Sequence, residues 1–359
     1  MAGATRRAFL AGLLASGLAP RASWADAGSP AYLAAARLPS GVFTLIGLGA
    51  AGEWLFEIPL PGRGHAAAAH PSRPLAVAFA RRPGQFALVI DCASGETVRR
   101  LDTPEGFHFY GHGAFSADGA VLFTTENDYE TGRGMVGIWD ADAGFARLGA
   151  MPSGGLGPHE LRLMPDGETL VVANGGIETH PEAGRQKLNI PTMRPNLSYL
   201  SFDGTLLDRV EPPEAWHKNS VRHITVRSDG LVAIACQWQG AMTEVPPLLA
   251  THRMGGPLAF HRLGPGVEGD LQGYLGSVAF SGSGEEIAVT GPRGGMAVIA
   301  DVEGRVARRL DQRDICGAAP GAGGFVFTTG EGRVLTDSGA ARELARHDCA
   351  WDNHLVPIG

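Results

Sequence analysis

Three stretches of the chain repeat one another. They read Gly111-His112-Gly113-Ala114-Phe115-Ser116-Ala117-Asp118-Gly119, Gly157-Pro158-His159-Glu160-Leu161-Arg162-Leu163-Met164-Pro165-Asp166-Gly167 and Val221-Arg222-His223-Ile224-Thr225-Val226-Arg227-Ser228-Asp229-Gly230. Each carries a histidine, a short alternating apolar run and an Asp-Gly turn. A second apolar run follows each turn, over 121–125, 170–173 and 231–235. Asp-Gly between two such runs is a hairpin signal. A unit recurring every ~45 residues marks a repeat architecture, and a four-stranded unit of that length is a propeller blade.

One unit shows a whole blade: an inner strand over 113–116, then strands over 121–125, 135–139 and 145–151. Five more second strands align with 121–125, at 75–80, 170–173, 231–235, 287–290 and 325–329. The seventh blade is split. Its outer three strands are expected over 32–36, 42–48 and 53–59, and its inner strand over 353–358. These readings predict an all-β, seven-bladed β-propeller, residues 28–359, closed by both ends of the chain in one shared blade. Such closure removes exposed sheet edges. Two insertions break the spacing, 175–196 and 241–256. Both follow a second strand and are expected over the same face.

Residues 1–27 read as an export signal. Thr5-Arg6-Arg7-Ala8-Phe9-Leu10 is a twin-arginine signature, an apolar stretch follows over 9–18, and Ala25-Asp26-Ala27 offers a small-residue cleavage site. An apolar run of about ten residues is too short to span a bilayer, so the expectation is a periplasmic protein with no membrane span. The formal charge of −7 argues against nucleic acid, which needs a basic face. Cys92, Cys236, Cys316 and Cys349 form no CxxC pair and allow three disulfide pairings. Cys316 with Cys349, both near the closing blade, is the favoured one.

The repeat also predicts where polar residues meet. Inner strands leave one face of a propeller and second strands return to it. Residues before the former and after the latter therefore gather at one central mouth. His65, His112, His159, His223 and His354 precede or open inner strands. Arg37, Arg81, Glu126, Asn127, Asn174, Gln237, Gln239, Arg293 and Glu331 follow second strands, and Asn353 lies in the closing strand. The insertions bring Glu178, His180, Arg185 and Arg194, and His252 and Arg253. A polar concave mouth is a binding-site candidate, and histidine is the commonest metal ligand. The expected metal ligands are His112, His159, His223 and His354. Glu126, Asn127, Asn174, Glu178, His180, Arg194, Gln237, Arg293 and Asn353 are the expected ligand-binding set, with Arg194 and Arg293 suited to a carboxylate-bearing chelate. The same histidines also admit a bracing role. In WD-type propellers a Gly-His pair bonds within its own blade, and Gly111-His112 with Trp139-Asp140 mimics that arrangement. No nucleophile elbow, HExxH, phosphate loop or haem-attachment motif is present.

Several segments resemble a proteobacterial family of exported propellers, domain of unknown function 1513, within the quinoprotein amine dehydrogenase-like and YVTN-type group. They are Tyr110-Gly111-His112-Gly113, Thr125-Glu126-Asn127, Gly157-Pro158-His159-Glu160, Val172-Ala173-Asn174-Gly175-Gly176-Ile177-Glu178-Thr179-His180-Pro181, Ser220-Val221-Arg222-His223 and Trp351-Asp352-Asn353-His354. The resemblance covers essentially the whole chain after residue 27 and implies the propeller fold. Members often occur beside imelysin-like periplasmic proteins and a di-haem peroxidase-like protein, which implies those partners and a setting in iron acquisition.

The expected function is capture of a metal ion or small anionic ligand at the mouth, as an accessory factor in iron acquisition, with a transition metal ion as the cofactor. Two alternatives stand beside it. One is a metal-dependent enzyme, a lactonase-like hydrolase or an oxidoreductase, with Glu126 as base. The other is a platform for protein–protein interaction.

Overall fold

Alternating apolar runs separated by tight turns leave each sheet with two faces to bury, and the chain does so by packing sheet against sheet in a ring. The computed structural model describes residues 22–82, 84–184 and 186–358. It contains seven four-stranded antiparallel sheets. From the axis outwards, blade 1 runs Gly64–Ala69, Leu75–Ala80, Ala87–Asp91 and Glu96–Leu101, and blade 2 runs Phe107–Phe115, Val121–Asp128, Arg133–Asp140 and Ala146–Pro152. The inner strands of blades 3 to 6 are Pro158–Leu163, Asn219–Val226, Ser277–Phe280 and Ile315–Gly321. Blade 7 pairs Ala350–Pro357 with Tyr32–Arg37, followed by Phe43–Leu48 and Trp54–Leu60. Its ladder runs from Tyr32 opposite Pro357 to Arg37 opposite Ala350. The split seventh blade is thus present as the sequence predicts.

The core is divided in the same way. Seven hydrophobic clusters occupy the seven interfaces between neighbouring blades. Phe79, Phe109, Trp139 and Phe145, for example, hold blade 1 against blade 2. Outer strands are the most exposed of each blade, and 146–152 alternates exposed residues with half-buried or buried ones. Inner strands pack against the inner strands on both sides and close the ring.

Two expectations about the loops and one about the cysteines change. The 175–195 loop does cross the mouth. The second insertion is shorter than expected: it ends at Leu248, and Leu249–His252 is the third strand of blade 4. His252 is therefore not over the mouth. It bonds Tyr199 Oη at 2.7 Å on blade 3, while Arg253 pairs with Asp229 at the opposite, Asp-Gly end of the blade. All four cysteines are unpaired, so the Cys316–Cys349 bridge does not form. The Cys316 thiol points to the closing strand instead, 3.4 Å from the Asp352 carbonyl oxygen. Cys349 is half-buried and packs against the same cluster.

Arg6, Arg7 and the apolar stretch 9–18 lie outside the described residues, as does Arg185. Residues 24–27 form a short 3-10 turn whose Trp24 indole donates to the His70 carbonyl oxygen at 2.9 Å. No helix among the described residues is long and apolar enough to cross a membrane.

Candidate metal centre

Six of the seven inner strands carry a register irregularity at the mouth; the blade 5 strand, Ser277–Phe280, runs without one. A bulge re-aims a side chain that regular alternation would send elsewhere. In blade 2 the shift falls between Phe109 and Gly113, and Gly111 takes φ 104° to allow it. A Cβ there would lie 2.9 Å from the His65 ring and 3.2 Å from the Ala80 carbonyl oxygen. The bulged strands of blades 1, 2, 3, 4 and 7 each deliver one histidine to the axis.

His65, His112, His159, His223 and His354 form one buried cluster. His354 of blade 7 meets His223 of blade 4 at 4.7 Å between ring centroids, so the cluster crosses the channel from one side of the ring to the other. His112 Nε2 is 3.2 Å from His65 Nε2. Nitrogen donors of His65, His112 and His159 lie within 4.8 Å of one another, as do those of His112, His223 and His354. Four ligands at about 2.1 Å from a tetrahedral ion sit about 3.4 Å apart, so small side-chain shifts bring either triad onto one ion. His354 Nε2 is buried without a hydrogen-bond partner, an orphan that a metal would satisfy.

Two carboxylates stand behind the rings. Glu160 Oε2 accepts from His223 Nδ1 at 3.1 Å and from the Ile224 N–H at 3.2 Å. Its Oε1 accepts from Arg162 Nε at 2.9 Å and lies 3.9 Å from His112 Nδ1. Asp352 Oδ1 is 3.7 Å from His65 Nδ1 and accepts from Arg81 at 2.6 Å, while its Oδ2 accepts from Arg63 at 2.7 Å. A carboxylate can only accept, so it fixes the proton of His223 on Nδ1 and turns the Nε2 lone pair inward. Metal-binding histidines are commonly oriented in this way.

Burial pushes all five histidines down, His65 to about 4, against the opposing charge of Asp352. They are neutral at neutral pH, the form that binds metal. Burial works against the charge of Glu160 as well, yet the Arg162 guanidinium and the hydrogen bond from His223 outweigh it and hold the carboxyl well below its usual range. Asp352 behaves alike, with His65, Arg81 and Arg63 overcoming burial.

The other expected residues divide. Gln237, Arg293 and Asn353 line a cavity of about 320 Å³ that opens onto His65, His159 and His223. Asn353 Nδ2 donates to Tyr274 Oη at 3.2 Å, and the Arg293 guanidinium lies 4.1 Å from the Tyr274 ring centroid. Glu126 is not at the mouth. Its strand continues to Asp128, and alternation puts Glu126 on the same face as Thr124, under the outer strand. There Arg147 clamps both carboxylate oxygens, at 2.8 and 2.7 Å.

Asn127 and Asn174 are buried braces. The Asn127 amide donates to the Thr179 carbonyl oxygen at 3.0 Å, and Asn174 donates to the Ser153 carbonyl oxygen at 3.0 Å. Glu178 and His180 sit on the loop over the mouth. The Glu178 N–H donates to Asn189 Oδ1 at 2.7 Å, and His180 faces the Tyr129 ring. Arg194 points outward to Glu211 and Glu214, with its side chain 70% exposed. The WD-type brace is absent too. Trp139 Nε1 donates to Thr124 Oγ1 at 2.9 Å, Asp140 accepts from N–H groups of its own turn, and neither meets His112.

Known proteins bear on the fold and family. No curated protein matches the chain. Among solved structures it is similar to Kuenenia stuttgartiensis hydrazine synthase, at 13% identity and a TM-score of 0.58 over 85% of this chain and 89% of that one. It is equally similar to the β-propeller domain of Cps50 (Swd1) from Myceliophteria thermophila, at 10% identity and a TM-score of 0.58 over 83% and 89%. At such identities the likeness concerns the fold alone. The match of residues 58–358 to the family described as "Protein of unknown function (DUF1513)" covers six blades and the closing strand, and the chain belongs to that family.

Proposed function

We propose that the protein is a periplasmic metal-binding propeller that holds one first-row transition ion at the axial histidine cluster. The observation that carries this reading is the inward convergence of five neutral, buried histidines, backed by Glu160 and Asp352. His65 Nε2 and His112 Nε2 share a hydrogen bond at 3.2 Å, which a bound cation would replace, and the partnerless His354 Nε2 is a third nitrogen for it. Imidazole suits zinc, copper, iron and nickel. The twin-arginine signature supports export, and the company its family keeps supports an accessory role in iron acquisition, with an imelysin-like or di-haem peroxidase-like partner.

Metal analysis of natively exported protein tests the reading. The expected result is about one equivalent of a transition metal, lost in the His159→Ala/His223→Ala double variant, with a lower melting temperature after chelation. Protein that carries no metal, and whose melting does not respond to added zinc, copper or iron, overturns it. The iron setting has its own check. Deletion of the gene is expected to slow growth under iron limitation, and unimpaired growth removes that part of the proposal.

The cavity beside the histidines also suits a metal-dependent hydrolase or oxidoreductase, since it leaves one side of the ion open to a small molecule. Glu126 cannot be the base of such a reaction, being held by Arg147.

A further inference from the structure

The cavity over the histidines has a charge opposite to that of the chain. Five cationic side chains line it: Arg81, Arg82, Lys187, Arg222 and Arg293. Among the described residues of its lining none is acidic, although the chain as a whole carries −7. They come from separate places. Arg81 and Arg82 follow the second strand of blade 1, Arg222 is the bulged residue of the blade 4 inner strand, Arg293 follows a strand of blade 5, and Lys187 reaches in from the 175–195 loop. Arg81 is shared with Asp352 and Arg293 rests on Tyr274. Arg222 is different. Its Nε is buried without a hydrogen-bond partner. A buried guanidinium nitrogen without an acceptor is a donor that an anion in the cavity would satisfy.

We propose that this cavity binds a small polycarboxylate, gripped by Arg222 and flanked by Arg82 and Arg293, directly over the histidine cluster. A planar carboxylate matches the fork of a guanidinium, and several arginines spread around one cavity match several carboxylates better than one compact anion. About 320 Å³ is in the range of small-molecule sites. A concave cationic site in an acidic protein also focuses its field on incoming anions. The inference goes beyond the metal reading, since the cations are in place whether or not an ion is bound. It adds that the carboxylate faces His65, His159 and His223, where it would reach the open side of a bound metal.

Calorimetric titration of chelator-treated protein with tricarballylate tests this. Acetate and inorganic phosphate are the comparison anions. The expected result is tricarballylate binding at least ten-fold tighter than acetate or phosphate, weakened ten-fold or more in Arg222→Met and weakened by added salt. Arg194→Met, an outward arginine, should leave the binding unchanged. Absence of tricarballylate binding to wild-type protein with an intact melting transition overturns the inference, as does phosphate binding more tightly. The two readings fail separately. Metal without carboxylate binding removes only this inference, and carboxylate binding without metal removes only the metal centre.

Discussion

A histidine at the mouth of this propeller is defined less by its own position than by the residue beside it. Glu160 follows His159 and Asp352 comes two before His354, yet each serves a neighbouring blade: Glu160 holds His223 and Asp352 faces His65. Both carboxylates stand in the repeat motifs, but alternation alone cannot place them. A one-residue shift in a strand sends each side chain to the other face, and the shift occurs within these motifs. Glu126 shows the converse, since regular alternation sends it away from the mouth. The depressed histidines give a pH prediction. His65 titrates near 6.5 in the unfolded chain and at about 4 in the folded one. Between these values the unfolded state binds more protons, so folding stability is complete above pH ~6.5 and falls as pH drops towards 4. His112, His159 and His354, pushed down more strongly by burial, lose stability in the same direction. Melting of metal-free protein between pH 7.5 and 4.5 should therefore show a steady fall, reduced in His65→Gln. A flat profile over that interval would show that the cluster is not neutral in the native state.

The bulged inner strand is the element that converts a repeat into a site. Strand order and hairpin turns follow from period and turn chemistry, and the inner hairpin was legible from 113–125 alone. Where each strand kinks was not, because the kink depends on what the neighbouring blade presents. Gly111 is the clearest case. Its positive φ excludes most side chains, and its missing Cβ makes room for the His65 ring of blade 1. Gly111→Ala therefore carries two costs: about 1–2 kcal/mol for a left-handed backbone, and displacement of His65 or of the strand. Gly144→Ala carries only the first, because Gly144 has φ 65° in a turn with nothing within 4 Å of its missing Cβ. Urea denaturation should show Gly111→Ala destabilised by at least ~1 kcal/mol more than Gly144→Ala, and metal content should drop only in the former. Equal losses in the two variants would mean that the bulge does not position the ring.

At the scale of the whole molecule, the closing blade joins stability to the site. Seven interfaces each hold one cluster, so no blade has a core of its own and the ring stands or falls together. The final strand contributes to two of these clusters through Val356 on one side and Trp351 and Leu355 on the other. It also covers the edge of Tyr32–Arg37 and brings Asp352, Asn353 and His354 to the mouth. The split was legible because strands over 32–59 lacked an inner partner and the last residues lacked a hairpin. Burying a large apolar side chain stabilises by about 1.5–3 kcal/mol. Three of them, with the ladder of Tyr32–Arg37, approach the ~5–15 kcal/mol of a typical domain. Removal of residues 350–359 should thus abolish the cooperative melting transition and leave an edge strand open to association. Trp351→Phe, which keeps the strand and loses only part of one contact, should lower melting by a few degrees and retain metal. Light scattering and calorimetry on the two variants separate these outcomes. A truncated chain that stays monomeric and melts like the full one would show that six blades and an open seventh suffice, and that the last strand serves the mouth alone.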